Sequence, residues 1–182
     1  MRVFTAIALP EEIRKKLFDV GSQIPGRMAR VSEPNLHITL QFIGDVDDGM
    51  LAKVIDAVKF INEEPFRVCI RGISFFGTGD AMRVVYANAL DKNRITLIYS
   101  RLCDALKSRE ISFKPENSYT PHVTIGRPSL GHKREILEFI KNHSEYDFGS
   151  FEVREIYVKG STLARKGPVY ETLYKSKLAF RT

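Results

Sequence analysis

Along this chain the spacing of apolar side chains changes period repeatedly, and each change marks an element. Residues 3–9 form a nearly unbroken apolar run of strand length. From Glu11 the apolar positions become Ile13, Leu17, Val20 and Ile24, a helical spacing with Pro10 at its mouth and two acidic residues in its first turn. A Gly- and Pro-containing loop at 24–34 leads to residues 36–43, which alternate apolar and polar as a strand does. Asp47 or Asp48 then caps a helix whose inner face is Leu51, Val54, Ile55, Val58 and Ile61. Strands at 66–73 and 82–90 flank the turn signal Gly77-Thr78-Gly79-Asp80. A third helix carries Ile95, Ile98, Leu102 and Leu106, and loop 114–121 enters a second short alternating strand from His122. A fourth helix centres on Ile136, Leu137 and Ile140, and strands 149–160 and 169–180 close the chain.

The order helix, alternating strand, helix, strand, strand thus occurs twice, with 3–9 left over. It predicts an α+β fold of two similar lobes, each an antiparallel sheet with two helices, related by a pseudo-twofold axis about a central cleft. Residues 1–182 are expected to form one such bilobal domain, with the lobes interleaved or divided roughly into 1–90 and 91–182. The two alternating strands would face each other across the cleft.

Composition narrows the class. Hydrophobic residues at 43% and charged residues at 27% suit a soluble globular protein, and no stretch approaches the ~18 apolar residues of a membrane helix, so no membrane partner is expected. The run 3–9 is too short for a signal-peptide core and stops at Pro10-Glu11-Glu12, so the mature chain is expected to begin at Met1. Cys69 and Cys103 are the only cysteines and read as small buried residues of a cytoplasmic protein rather than as a disulfide. Lys and Arg outnumber Asp and Glu by 28 to 22. Most of that excess reads as solvated surface; Arg27, Arg30 and Arg165-Lys166 sit in loops where they could rim a site for a polyanion.

The chemistry lies in the two alternating strands. Of four histidines, His37 and His122 are each followed two residues later by threonine, Thr39 and Thr124. Alternation puts each His and its Thr on one face and the intervening apolar residues on the other. Two imidazoles from opposite walls suit displacement at phosphorus, where attacking and leaving oxygens occupy opposite apices and each needs its own proton handler. Threonine hydroxyls beside them can donate to the non-bridging oxygens. Each strand offers one His with no Cys or carboxylate at ligand spacing, so neither a metal nor another cofactor is expected. His132 and His143 lack the Thr and fall on a charge-rich segment read as surface. Tyr86, Phe75 and Phe76 are candidates for stacking on a base, with core packing the commoner use of such residues.

Together the opening "MRVFTAIALP", then "PNLHITLQFIG", "RVVYANAL", "PHVTIGR" and "STLARKGPVYETL" resemble the 2H phosphoesterases, and within them the RNA 2',3'-cyclic phosphodiesterases long called 2'-5' RNA ligases. The resemblance implies a bilobal fold with both motifs in a central cleft, acting on RNA or a nucleotide that ends in a 2',3'-cyclic phosphate. It implies hydrolysis to a 2'-phosphate, with 2'-5' ligation as the reverse reaction. By matching positions, His37 would protonate the leaving 3'-oxygen, His122 would activate water, Thr39 and Thr124 would hold the phosphate, and Arg127 would add a phosphate or base contact. Tyr170 matches the family's tail. A monomer is expected. The rival readings are a non-catalytic RNA- or nucleotide-binding module and a phosphodiesterase for a small cyclic nucleotide.

Overall fold

The structure, a computed structural model, describes residues 1–78, 81–129, 131–165 and 167–179. Gly79 and Asp80 of the turn signal, Lys166, and the end of the last expected strand at Phe180 lie outside these. The elements run β1 (Arg2–Ala8), α1 (Glu11–Ser22), β2 (Met28–Arg30), β3 (His37–Asp45), α2 (Asp48–Lys59), β4 (Phe66–Thr78), β5 (Ala81–Leu90), α3 (Arg94–Lys107), β6 (His122–Pro128), α4 (Lys133–Asn142), β7 (Asp147–Val153), β8 (Glu155–Ala164) and β9 (Gly167–Lys177). Asp47 caps α2 as expected, its carboxylate accepting from the Met50 N–H at 2.8 Å.

The strands form one curled antiparallel sheet in the order β7-β4-β5-β6-β3-β1-β8-β9, with β2 beside β6. Its halves are β6-β5-β4-β7, backed by α1 and α4, and β3-β1-β8-β9, backed by α2 and α3. Chain halves and sheet halves do not coincide, because β3 and β8 share one half while β4 and β6 share the other. The strand left over from the repeat, β1, is the central partner of both β3 and β8.

Three details differ from the sequence expectations. The two histidine strands do not face each other across a gap; they are neighbours, joined by the single residue pair Ile38↔Val123. The expected strand 149–160 is two strands, which break at Arg154 and run to opposite ends of the sheet. The cause is legible in the burial: Phe151 and Val153 are buried at odd positions, Ile156 and Val158 at even ones, and a one-residue slip turns every side chain to the other face. Loop 24–34 holds the short strand β2 and a 3-10 turn at Glu33–Asn35. Within it the Arg30 guanidinium donates to the carbonyls of Gly21 and Ile24 (3.2 and 2.6 Å), so it closes the C-terminus of α1 rather than rimming a site.

Candidate active site

The β3–β6 junction explains why the two motifs meet. Ile38 and Val123 are completely buried and point into the core, so their neighbours point the other way. In antiparallel order that pair places His37 toward Thr124 and Thr39 toward His122, a local twofold about the Ile38–Val123 contact. His37, Thr39, His122, Thr124 and Arg127 all line one cleft of about 690 Å³.

Each imidazole is oriented by a carbonyl two residues upstream. His37 Nδ1 lies 2.6 Å from the Asn35 carbonyl and His122 Nδ1 lies 2.7 Å from that of Thr120. A carbonyl can only accept, so Nδ1 carries the proton in both rings and Nε2 is the nitrogen left for chemistry. His37 Nε2 is 2.9 Å from the Thr39 hydroxyl. Aromatic rings fix the faces. His37 packs against Phe4 (5.0 Å) and edge-on to Tyr170 (5.5 Å), while His122 packs against Phe76 (4.9 Å) and Tyr86 (5.1 Å). Phe76 and Tyr170 line the cleft; Tyr86 is buried behind the stacked Phe76 ring, and Phe75 packs against the core.

Burial is the main influence on both rings. It pushes His37 down to about 4, against the pull of the Asn35 carbonyl, and the charges of Lys159 and His122 push the same way. His122 is also lowered by burial, opposed by the Thr120 carbonyl and the Glu116 carboxylate. Both rings are therefore neutral at pH 7 in the free protein.

Several lining residues carried no signal in the sequence. Arg83 and Thr78 join from β5 and β4, Asn35 from the 3-10 turn, and Glu116 and Ser118 from the loop before β6; Phe42 of β3, which strict alternation puts with Ile38 and Leu40 on the core face, is exposed and lines the cleft because Leu40 and Gln41 are both buried and break the alternation. That loop is clamped: Glu116 N–H donates to Tyr99 OH (2.8 Å), Tyr99 stacks on Tyr119 (4.1 Å), and Tyr119 OH donates to the Thr39 carbonyl (2.7 Å). Gln41 adds a bond from its side chain to the Lys114 carbonyl at 2.9 Å. The other histidines stay outside the cleft. His132 is exposed, whereas His143, expected on the surface, is half-buried, stacked on Phe139 at 4.0 Å with Nδ1 on the Phe139 carbonyl.

Comparison with known proteins agrees with the geometry. A model of the family described as LigT like phosphoesterase matches residues 7–86 and 93–170. The RNA 2',3'-cyclic phosphodiesterase of Methanocaldococcus jannaschii is 31% identical over 95% of this chain and 98% of its own; that of Methanothermobacter thermautotrophicus is 32% identical over 93% and 95%. Among solved structures, TT0787 of Thermus thermophilus superposes with a TM-score of 0.83 at 26% identity, covering both chains completely. E. coli LigT complexed with 3'-AMP has the same fold, with a TM-score of 0.81 at 22% identity over 97% of each chain. With the family match spanning most of its length and its two His-x-Thr strands joined at the floor of one cleft, the chain belongs to the LigT-like 2H phosphoesterases.

Proposed function

We propose that this protein hydrolyses RNA 2',3'-cyclic phosphate ends to 2'-phosphates by acid–base catalysis without a metal, and that the same residues run 2'-5' ligation in reverse. The observation that carries the reading is the pair of imidazoles with Nδ1 committed to a carbonyl, which leaves Nε2 of each for a cleft that Thr39 and Thr124 also line. The relatives' names supply the substrate class. Arg83 and Arg127 give the cleft the positive charge a phosphodiester requires.

In this scheme His122 Nε2 takes a proton from water as its oxygen attacks phosphorus. The P–O3' bond breaks, and His37 Nε2–H gives its proton to the departing 3'-oxygen. Each transfer is worth roughly 10²- to 10⁴-fold. Thr39 and Thr124 donate to the non-bridging oxygens, where charge accumulates. While His37 is neutral, the Thr39 hydroxyl donates to its Nε2; once the ring is protonated, the hydroxyl proton is free for the phosphate. In the free protein Glu116 favours a proton on His122 and Lys159 disfavours one on His37, the reverse of the assigned roles. A phosphate bound beside His37 favours the protonated ring, as an opposite charge within ~4–6 Å does, and so opposes Lys159. A monomer acting in the cytoplasm is part of the same proposal.

The test is to incubate the purified protein with an oligonucleotide ending in a 2',3'-cyclic phosphate and identify the product. A 2'-phosphate with a free 3'-hydroxyl, lost in His122→Ala, is expected. A 3'-phosphate would contradict the assigned leaving group, and binding without turnover would favour a binding module.

A further inference from the structure

Outside the cleft, β8 and β9 carry two lysines that share one tyrosine ring. Lys159 on β8 and Lys175 on β9 both lie over the ring of Tyr157, their ammonium nitrogens 5.5 and 5.4 Å from its centroid. Lys159 Nζ is 3.2 Å from the Thr172 hydroxyl, and neither lysine forms an ion pair with a carboxylate among the described residues. Glu155, the acid nearest Lys159 in sequence, accepts from the Tyr157 hydroxyl at 2.7 Å. Burial, then Lys175, then Arg14 all push the Lys159 ammonium down. Two cations that share one ring and form no ion pair among the described residues are an arrangement that a bound anion stabilises.

The register ties this pair to the cleft. Lys159 is the cross-strand neighbour of Phe4, whose ring packs on His37, and Tyr157 is the neighbour of Ala6, which itself pairs with Thr39. From β3 to β8 is two strand spacings, about 10 Å. A strand of RNA whose last phosphorus sits between the histidines can therefore lay an earlier part of its backbone here. We propose that Lys159 and Lys175, with the Thr172 hydroxyl, form a subsite for a backbone phosphate of the RNA upstream of its cyclic end. This rests on the cyclic phosphodiesterase reading of the cleft and adds to it what distinguishes an RNA end from a free cyclic nucleotide.

The experiment compares an oligonucleotide ending in a 2',3'-cyclic phosphate with the matching cyclic mononucleotide, for the wild type, Lys159→Gln, Lys175→Gln and the double variant. The readout is the ratio of kcat/KM for the two substrates. That ratio should fall about fivefold in each single variant and more than tenfold in the double, as expected for loss of charge-assisted contacts. The salt slope for the oligonucleotide should flatten by about 0.7 per phosphate contact removed, while the mononucleotide slope stays near its wild-type value. An unchanged ratio in the double variant overturns the subsite, as does an equal loss on both substrates, which would mean that the lysines act on the chemical step. Affinity of the intact protein for an oligonucleotide bearing a 3'-phosphate, read by fluorescence anisotropy, separates the two readings. If no variant, wild type included, turns over either substrate but the lysine variants still bind more weakly, the activity fails and the subsite stands. Equal affinity across all four proteins sinks the subsite whatever the activity.

Discussion

Lowering the pH should destabilise this protein through His37, by an amount set by the burial of its ring. In the unfolded chain a histidine takes up its proton near 6.5; in the folded protein His37 resists protonation until about 4. Between those values the unfolded state binds more protons than the native one, so stability is complete above pH 6.5 and drains away as the pH falls toward 4. The difference of about 2.5 units corresponds to about 3 kcal/mol, a large part of the 5–15 kcal/mol that holds a typical domain together. The perturbation is His37→Gln, a polar side chain that cannot take a proton in this range. Urea unfolding at pH 7 and pH 4.5 gives four stabilities; carboxylates and His122 titrate in both proteins and cancel in the comparison. Wild type should lose about 2 to 3 kcal/mol more than His37→Gln between the two pH values. Equal losses would mean that His37 is not a buried neutral ring, and the electrostatic picture of the cleft would fail. Saturating 2'-AMP should narrow the gap, because the phosphate raises the ring in the native state.

Three further outcomes follow from the site and its support. Thr39→Val and Thr124→Val should each reduce kcat by about 10²-fold or more if their hydroxyls donate to the phosphate in the transition state; steady-state rates near wild type would remove them from that role. Turnover should survive EDTA dialysis undiminished, and a loss restored by zinc or manganese would overturn the metal-free scheme. Gly72, at φ +75° in the β4 bulge, has no room for a side chain: a Cβ there would lie 2.2 Å from the Ser144 carbonyl oxygen. Gly72→Ala should therefore cost roughly 2 kcal/mol or more in urea unfolding, and a stability change within about 0.5 kcal/mol would contradict that geometry.

The sequence carried the chemistry further than it carried the topology. Period-2 alternation places His37 with Thr39 and His122 with Thr124, and the structure brings all four to one cleft together with Arg127, which the family resemblance alone singled out. Helix faces were equally legible, since Ile95, Ile98, Leu102 and Leu106 recur at helical spacing and are all fully buried in α3. Strand order was not. Burial on one face says nothing about which strand lies alongside, and the passage from β7 to β8 across the whole sheet is marked only by the slip at Arg154. The cleft's remaining lining escaped for a related reason. Glu116 stands there because a loop is clamped by Tyr99 and Tyr119, and Arg83 because β5 pairs with β6; both are long-range consequences of the fold.

The central claim is that two imidazoles divide the proton transfers, with His37 serving the leaving oxygen. Replacing the 3'-oxygen of the cyclic phosphate by sulfur tests it most directly, since a thiolate departs with little need of a proton while water must still be deprotonated. The measurement is the hydrolysis rate of the oxygen and sulfur substrates by wild type, His37→Ala and His122→Ala. Sulfur should restore roughly 10²-fold or more of the rate lost in His37→Ala and nothing comparable in His122→Ala. Rescue of His122→Ala alone would reverse the two roles, in the direction that Glu116 and Lys159 already bias the free protein, and rescue of neither would contradict the division of labour itself.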